Sequence, residues 1–139
     1  MTGRKAEGRG RAARRMGLTL DSGALIAIER GDRVVLTLLR EALAVGASLA
    51  LPSTVLAQVF RDPARQARLS RFLSACDHEP VPFDDVVARA VGRLLAARGT
   101  SDVVDAAVVL CARVRDHAVV TSDPADLAAL DPELPVIVV

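Results

Sequence analysis

The chain has 139 residues, of which 51% are hydrophobic and 25% charged, with a formal net charge of +1. That length suffices for one domain with its own core, and the hydrophobic fraction is too high for a chain disordered throughout. No apolar run approaches the ~18 residues that span a bilayer, and no apolar signal-peptide segment follows the basic start, so a cytoplasmic protein without membrane contact is expected.

Near-neutrality conceals an asymmetry. Residues 1–15, MTGRKAEGRGRAARR, carry Arg4, Lys5, Arg9, Arg11, Arg14 and Arg15 against Glu7, a local charge of +5 that leaves −4 for the remainder. Residues 1–16 therefore read as a basic, disordered tail. It is either an electrostatic arm for nucleic acid or a solvated extension ahead of an alternative start at Met16. The domain itself is expected over residues 17–139.

After the tail, GLTLD predicts a short strand over 18–21 and SGALIAIERG a helix stopped at Gly31. RVVLTLLREALAVG has apolar residues at helical spacing and ends at Gly46, and SLALP is a second buried strand. STVLAQVFRD predicts a helix with Ser53 and Thr54 as candidate N-caps. Pro63 is expected to open the next helix, PARQARLSRFLSAC, with Arg61, Arg65, Arg68 and, less regularly, Arg71 at near-helical spacing. HEPVPF is a brief extended piece, and DDVVARAVGRLLAARG an amphipathic helix with an acidic start and a stop at Gly99. A helix over 102–116, a strand over 117–121, a helix over 124–130 and the closing strand LPVIVV complete the chain. Short β-branched strands separated by helices predict an α/β sandwich around a mainly parallel sheet. No internal repeat or second domain is visible.

Cys76 and Cys111 lie in no metal-type spacing, and Cys111 sits in the apolar run AAVVLCA as a small buried hydrophobe would. His78 and His117 have no second histidine at i+3 or i+4, which speaks against zinc. The acids are more informative. Singly, Asp21 can cap the helix after strand one, Asp102 can cap the next-to-last helix with Asp105 in its first turn, and Asp123 before Pro124 is a cap signal with Asp126 in the first turn. As a set they follow two strands and open three helices. Sites in parallel α/β folds form beyond the carboxyl ends of the strands, so these helix starts would converge there. Two carboxylates ~5 Å apart repel by about 3 kcal/mol at an effective dielectric of about 20, and no basic residue in these motifs offsets that. A divalent cation would. Oxygen ligands without thiolate or imidazole suit Mg2+ or Mn2+, and such an ion can activate water for phosphodiester hydrolysis.

The segments LTLDSGALIAI, LPSTVLAQVFR, SDVVDAAVVLCA and AVVTSDPADL, in this order and spacing, resemble the four motifs of PIN-domain ribonucleases, above all the VapC-like toxins of type II toxin–antitoxin pairs. The resemblance covers residues 18–139. It implies a PIN-like α/β/α sandwich, often a homodimer, that cleaves RNA with Mg2+ or Mn2+ and is restrained by a cognate antitoxin. Residue by residue it implies that Asp21, Asp105 and Asp123 are catalytic and hold the metal, with Asp102 as an additional ligand and Thr121 and Asp126 in supporting positions. Gln58 is the fourth catalytic position, to tune the metal or position its water, but it departs from the pattern, because it stands where these nucleases usually carry a glutamate. An amide oxygen can ligate a metal or hold its water but brings no charge.

Arg61, Arg65 and Arg68 would grip RNA phosphates or pair with an acidic antitoxin segment, or form a solvated helix face. With Phe60, Phe72 and Phe83 as the only aromatics, base stacking is not expected to organise substrate binding. Two rivals share the fold class. Aspartates at strand ends also serve phosphoacceptor domains and phosphatases, which usually want a lysine at the phosphoryl group, and the single lysine here is Lys5. The stronger rival is a PIN-like module that binds RNA or a partner with weak or absent catalysis, and Gln58 is its support. A P-loop is excluded, since no GxxxxGK[ST] occurs.

Overall fold

Residues 17–139 are described by a computed structural model; the expectation for the tail lies outside them. The elements are β1 (Leu18–Leu20), α1 (Ser22–Arg30), α2 (Arg33–Ala44), β2 (Leu49–Pro52), α3 (Ser53–Val59), α4 (Ala67–Ala75), β3 (Glu79–Val81), α5 (Asp85–Arg98), α6 (Val103–Arg115), β4 (Ala118–Thr121), α7 (Pro124–Leu130) and β5 (Val136–Val138). The five strands form one sheet in the order β3-β2-β1-β4-β5, and every pairing is parallel rather than mainly so.

This order follows from the sequence pattern. β1, β2 and most of β4 are buried runs of Leu, Ala and Val without alternation, as strands covered on both faces must be. From β1 the chain steps outward through β2 to β3, then crosses to β4 and steps the other way to β5. Right-handed crossovers place α1 to α4 on one face and α5 to α7 on the other. Accordingly α1 packs on α2, α3 and α4, while α6 packs on α5 and α7. Leu20, Leu25, Ile28, Leu39, Leu49 and Leu51 are essentially fully buried on the first side and in the sheet, with Val108, Val109 and Leu127 on the second. The direction of travel reverses between β1 and β4, which makes their shared carboxyl edge the switch point where a crevice opens.

Several expected boundaries move. β1 stops at Leu20, and Asp21 is instead the first residue outside α1, with extended backbone. The N-cap of α3 is Pro52, without a side-chain bond. Ser53 Oγ donates to Val81 O at 2.9 Å, and Thr54 Oγ1 is buried without a partner, so neither hydroxyl caps. The helix expected from Pro63 begins at Ala67, because Gln66 captures the chain first. Its Oε1 accepts from the Arg61 and Asp62 backbone N–H groups, and its Nε2 donates to Val59 O and Glu29 Oε2.

At the opposite, amino-terminal edge of the sheet the two sequence-isolated residues His117 and Cys111 are satisfied and buried. His117 Nδ1 lies 3.1 Å from Thr19 Oγ1 and its Nε2 3.3 Å from Ser48 Oγ, while Cys111 Sγ lies 3.6 Å from the same threonine. Cys76 and Cys111 are both free thiols.

Candidate active site

Asp21 sits at the carboxyl end of β1, 6% exposed. Its Oδ1 accepts the Ser22 backbone N–H at 2.7 Å and its Oδ2 accepts the Thr121 hydroxyl at 2.8 Å. The same Thr121 oxygen, fully buried at the end of β4, accepts the Asp123 backbone N–H at 3.0 Å. One hydroxyl thus joins the β1–α1 junction to the β4–α7 junction. Burial raises the pKa of Asp21, the bonds from Ser22 and Thr121 pull it back, and the charges of Asp123 and Asp102 raise it further. Asp123 occupies the N-cap position of α7 with Pro124 behind it but makes no side-chain capping bond, contrary to the capping expectation. Its exposed carboxylate has no hydrogen bond of its own.

Asp102 caps α6 as expected, accepting the Asp105 N–H at 2.9 Å. Because α6 runs back to feed β4, its start lies at the carboxyl edge of the sheet, beside Asp21. Half-buried Asp105 has its pKa pushed from 3.8 to about 7, first by burial and then by the charges of Asp102, Asp21 and Asp126. Among the described residues none of Asp21, Asp102, Asp105, Asp123 and Asp126 takes part in an ion pair; the pairs are Arg65–Asp62, Arg89–Asp85, Arg113–Asp131 and Arg115–Glu79. The acids that the sequence marked at separate junctions are close enough for the charges of Asp102, Asp123 and Asp126 to act on the carboxyls of Asp21 and Asp105.

In kind, this donor set fits a hard divalent cation: it is all carboxylate, unneutralised and half withdrawn from water. Its spacing is not that of a ready-made site, since among the described residues no group of three or more His, Cys, Asp or Glu is placed to hold an ion. Mg2+ tolerates that, because it keeps several waters and takes one or two carboxylates plus substrate phosphates. Asp21, Asp105 and Asp123, with Asp102 adjacent, are the carboxylates from which one or two ligands would be drawn.

Gln58 lies exposed on α3, and its Oε1 accepts the hydroxyl of Ser22. Ser22 is a site residue that sequence reasoning passed over. The available signal was a hydroxyl directly after the first acid of LTLDS. Gly23 is a second one. A Cβ there would stand 2.1 Å from Ser122 Oγ and 2.9 Å from the Ser122 backbone nitrogen, so only glycine lets the start of α1 approach the loop that carries Asp123.

No family model matches the sequence, and no curated protein does. Solved structures do match in three dimensions. A chain of VapBC2 from Rickettsia felis, solved bound to a DNA fragment from their promoter, superposes with a TM-score of 0.69 at 22% identity, covering 89% of this chain and 99% of that one. A chain of FitAB bound to an IR36 DNA fragment gives 0.62 at 15% identity, over 86% and 93%. A chain of FitAcB from Neisseria gonorrhoeae gives 0.60 at 17% identity, over 86% and 96%. The chain has a PIN-like fold.

Within this PIN-like fold the three arginines part company. Arg61 precedes α4 and donates to Ala57 O and Phe60 O. Arg65 lies in the turn, 3.8 Å from Asp62. Only Arg68 is helical, so the single arginine face expected over 61–68 does not form, because the turn built by Gln66 interrupts it. Arg68 instead shares a groove of about 540 Å³ between α2 and α4 with Arg33, Arg40 and Arg71, over a floor that includes Leu36, Leu39 and Phe72. The apolar stripe of α2 is therefore divided: Val35 is core, Leu39 is buried where the core meets the groove floor, and Leu36 and Leu43 line the groove. Among the described residues no helix is long and apolar enough to cross a membrane.

Proposed function

We propose that this protein is a metal-dependent endoribonuclease that hydrolyses RNA phosphodiester bonds, acting as the toxin of a toxin–antitoxin pair. The observation that carries the reading is the unneutralised carboxylate set at the β1/β4 switch point, with Asp105 raised to about 7 by burial and by its acidic neighbours. Placing such charges together costs stability unless a cation or an ionised ligand complex occupies the crevice.

Asp21, Asp105 and Asp123 would hold Mg2+ or Mn2+, with Asp102 as neighbour and Asp126 contributing charge from the first turn of α7. When bound, the ion supplies charge neutralisation and a more acidic water. The protein's own contribution is positional. The Thr121 hydroxyl donates to Asp21 Oδ2 and accepts the Asp123 backbone N–H, and Gly23 permits the close approach of the two loops. The basic rim and apolar floor of the α2–α4 groove fit an acidic amphipathic segment of an antitoxin partner, which is consistent with the VapBC2 and FitAB complexes that share the fold. Exposed Arg61 and Arg65 are left for RNA phosphates, and a homodimer over residues 17–139 is part of the same reading.

The test is cleavage of a mixed RNA pool with Mn2+, Mg2+ or EDTA, beside Asp105→Asn. Metal-dependent cutting that disappears in the variant supports the nuclease. Equal, negligible cutting by two folded proteins over several pools favours the second reading, a PIN-like module that binds RNA or a partner without cutting. That reading draws on Gln58, which removes one charge from the site.

A further inference from the structure

We infer that Gln58 acts on the substrate as a hydrogen-bond donor, with Ser22 as the positioning residue that turns its amide, rather than as a ligand of the cation; this rests on the nuclease reading above. A glutamine offers one acceptor oxygen and one NH2 with two protons. Here the oxygen is already committed, because Gln58 Oε1 accepts the Ser22 hydroxyl. Nε2 makes no hydrogen bond to the described residues, and the side chain is exposed at the carboxyl edge of the sheet. Ser22 is itself fixed: it is the first residue of α1, and its backbone N–H is held by Asp21 Oδ1 at 2.7 Å. The orientation of the Gln58 amide is thereby coupled to the first acid of the site across 36 residues of sequence.

A phosphodiester entering such a crevice needs donors for its non-bridging oxygens, and the carboxylates supply none. The Gln58 NH2 group does. A glutamate at this position would instead add a like charge facing the phosphate.

The experiment measures two affinities that do not depend on turnover: Mn2+ by isothermal titration, and a fluorescein-labelled single-stranded RNA by anisotropy with Ca2+ in place of Mn2+. Wild type is compared with Gln58→Leu, Gln58→Glu, Ser22→Ala, Ser22→Thr and Asp105→Asn, with thermal melting to confirm folding. Loss of one donor to a charged oxygen is expected to weaken RNA binding by on the order of tenfold in Gln58→Leu, with Mn2+ affinity within about twofold of wild type. Ser22→Ala should follow in the same direction with a smaller loss, and Ser22→Thr should restore binding. Gln58→Glu should tighten Mn2+ while weakening RNA more than leucine does. The inference is overturned if Gln58→Leu weakens Mn2+ as Asp105→Asn does, or leaves RNA affinity unchanged. Wild-type protein that takes up no Mn2+ overturns the parent reading, and this inference with it.

Discussion

Replacing Asp105 by asparagine should stabilise the metal-free protein at neutral and alkaline pH. In the fold the Asp105 pKa rises from 3.8 to about 7, chiefly through burial and the charges of Asp102, Asp21 and Asp126. A carboxyl group with a raised folded pKa contributes stability that is fully present below its unfolded value and is lost as pH rises through the folded one. The window is therefore pH ~4 to ~7. At about 1.4 kcal/mol per pH unit the gross cost of ionising Asp105 is about 4 kcal/mol. Its partial exposure and solvent screening reduce that to about 1–2 kcal/mol. Urea denaturation in EDTA at pH 3.5 and pH 8 should thus find Asp105→Asn more stable than wild type by about 1–2 kcal/mol at pH 8 and nearly equal to it at pH 3.5, with about a third to a half of the difference already present at pH 5. Millimolar Mn2+ should reverse the order at pH 8, by stabilising wild type and leaving the variant little changed. A variant that is less stable at pH 8 in EDTA would refute the claim that these charges oppose folding. A gain that Mn2+ does not reverse would refute the claim that a cation relieves them.

Gly23→Ala should cost about 1–3 kcal/mol by overpacking against Ser122 and lower RNA cleavage more than melting temperature alone accounts for, which kcat at a temperature well below the transition would reveal. Thr121→Val removes the hydroxyl that bonds Asp21 and the Asp123 N–H; a loss of about 1–3 kcal/mol is expected in denaturation, with Thr121→Ser recovering part of it. His117, whose folded pKa is lowered first by burial and then by Arg115, contributes stability present above its ordinary 6.5 and lost as pH falls below it. In the Asp105→Asn background, where the opposing carboxylate slope is gone, this acid limb should stand out, and His117→Gln should flatten it. Gln66→Ala should orphan two backbone N–H groups and destabilise by about 2 kcal/mol, measurable as a lower urea midpoint at unchanged slope.

The alternation of strands and helices could be read from sequence because a fully covered parallel strand leaves a short buried run with no charged residue, as LTL, LALP and AVVT do. The acids were legible for a related reason: Asp21 and Asp123 directly follow such runs, and parallel pairing brings the ends of all strands to one edge. What escaped was side-chain bonding across loops. Nothing local to Pro63 discloses that Gln66 will hold the backbone of Arg61 and Asp62 and delay the helix to Ala67. Nor does Asp123-Pro124 disclose that Thr121, not the Asp123 carboxylate, organises that turn. Ser22 went unnoticed because its partner Gln58 lies on another helix.

The register of β1 against β4, Leu18 opposite Ala118 and Leu20 opposite Val120, sets the order of events in the life of the chain. The bond between Thr121 and Asp21 spans 100 residues, so no early fragment of the growing polypeptide contains both sides of the crevice. Such a distant pairing forms late, after the closure of a long loop. A chain arrested before residue 118 carries Asp21 and Gln58 but lacks β4, the strand that pairs with β1 on the far side of the switch point. Whatever chemistry the carboxylates perform begins only once the segment through Asp123 has been made and paired, which withholds activity from shorter products.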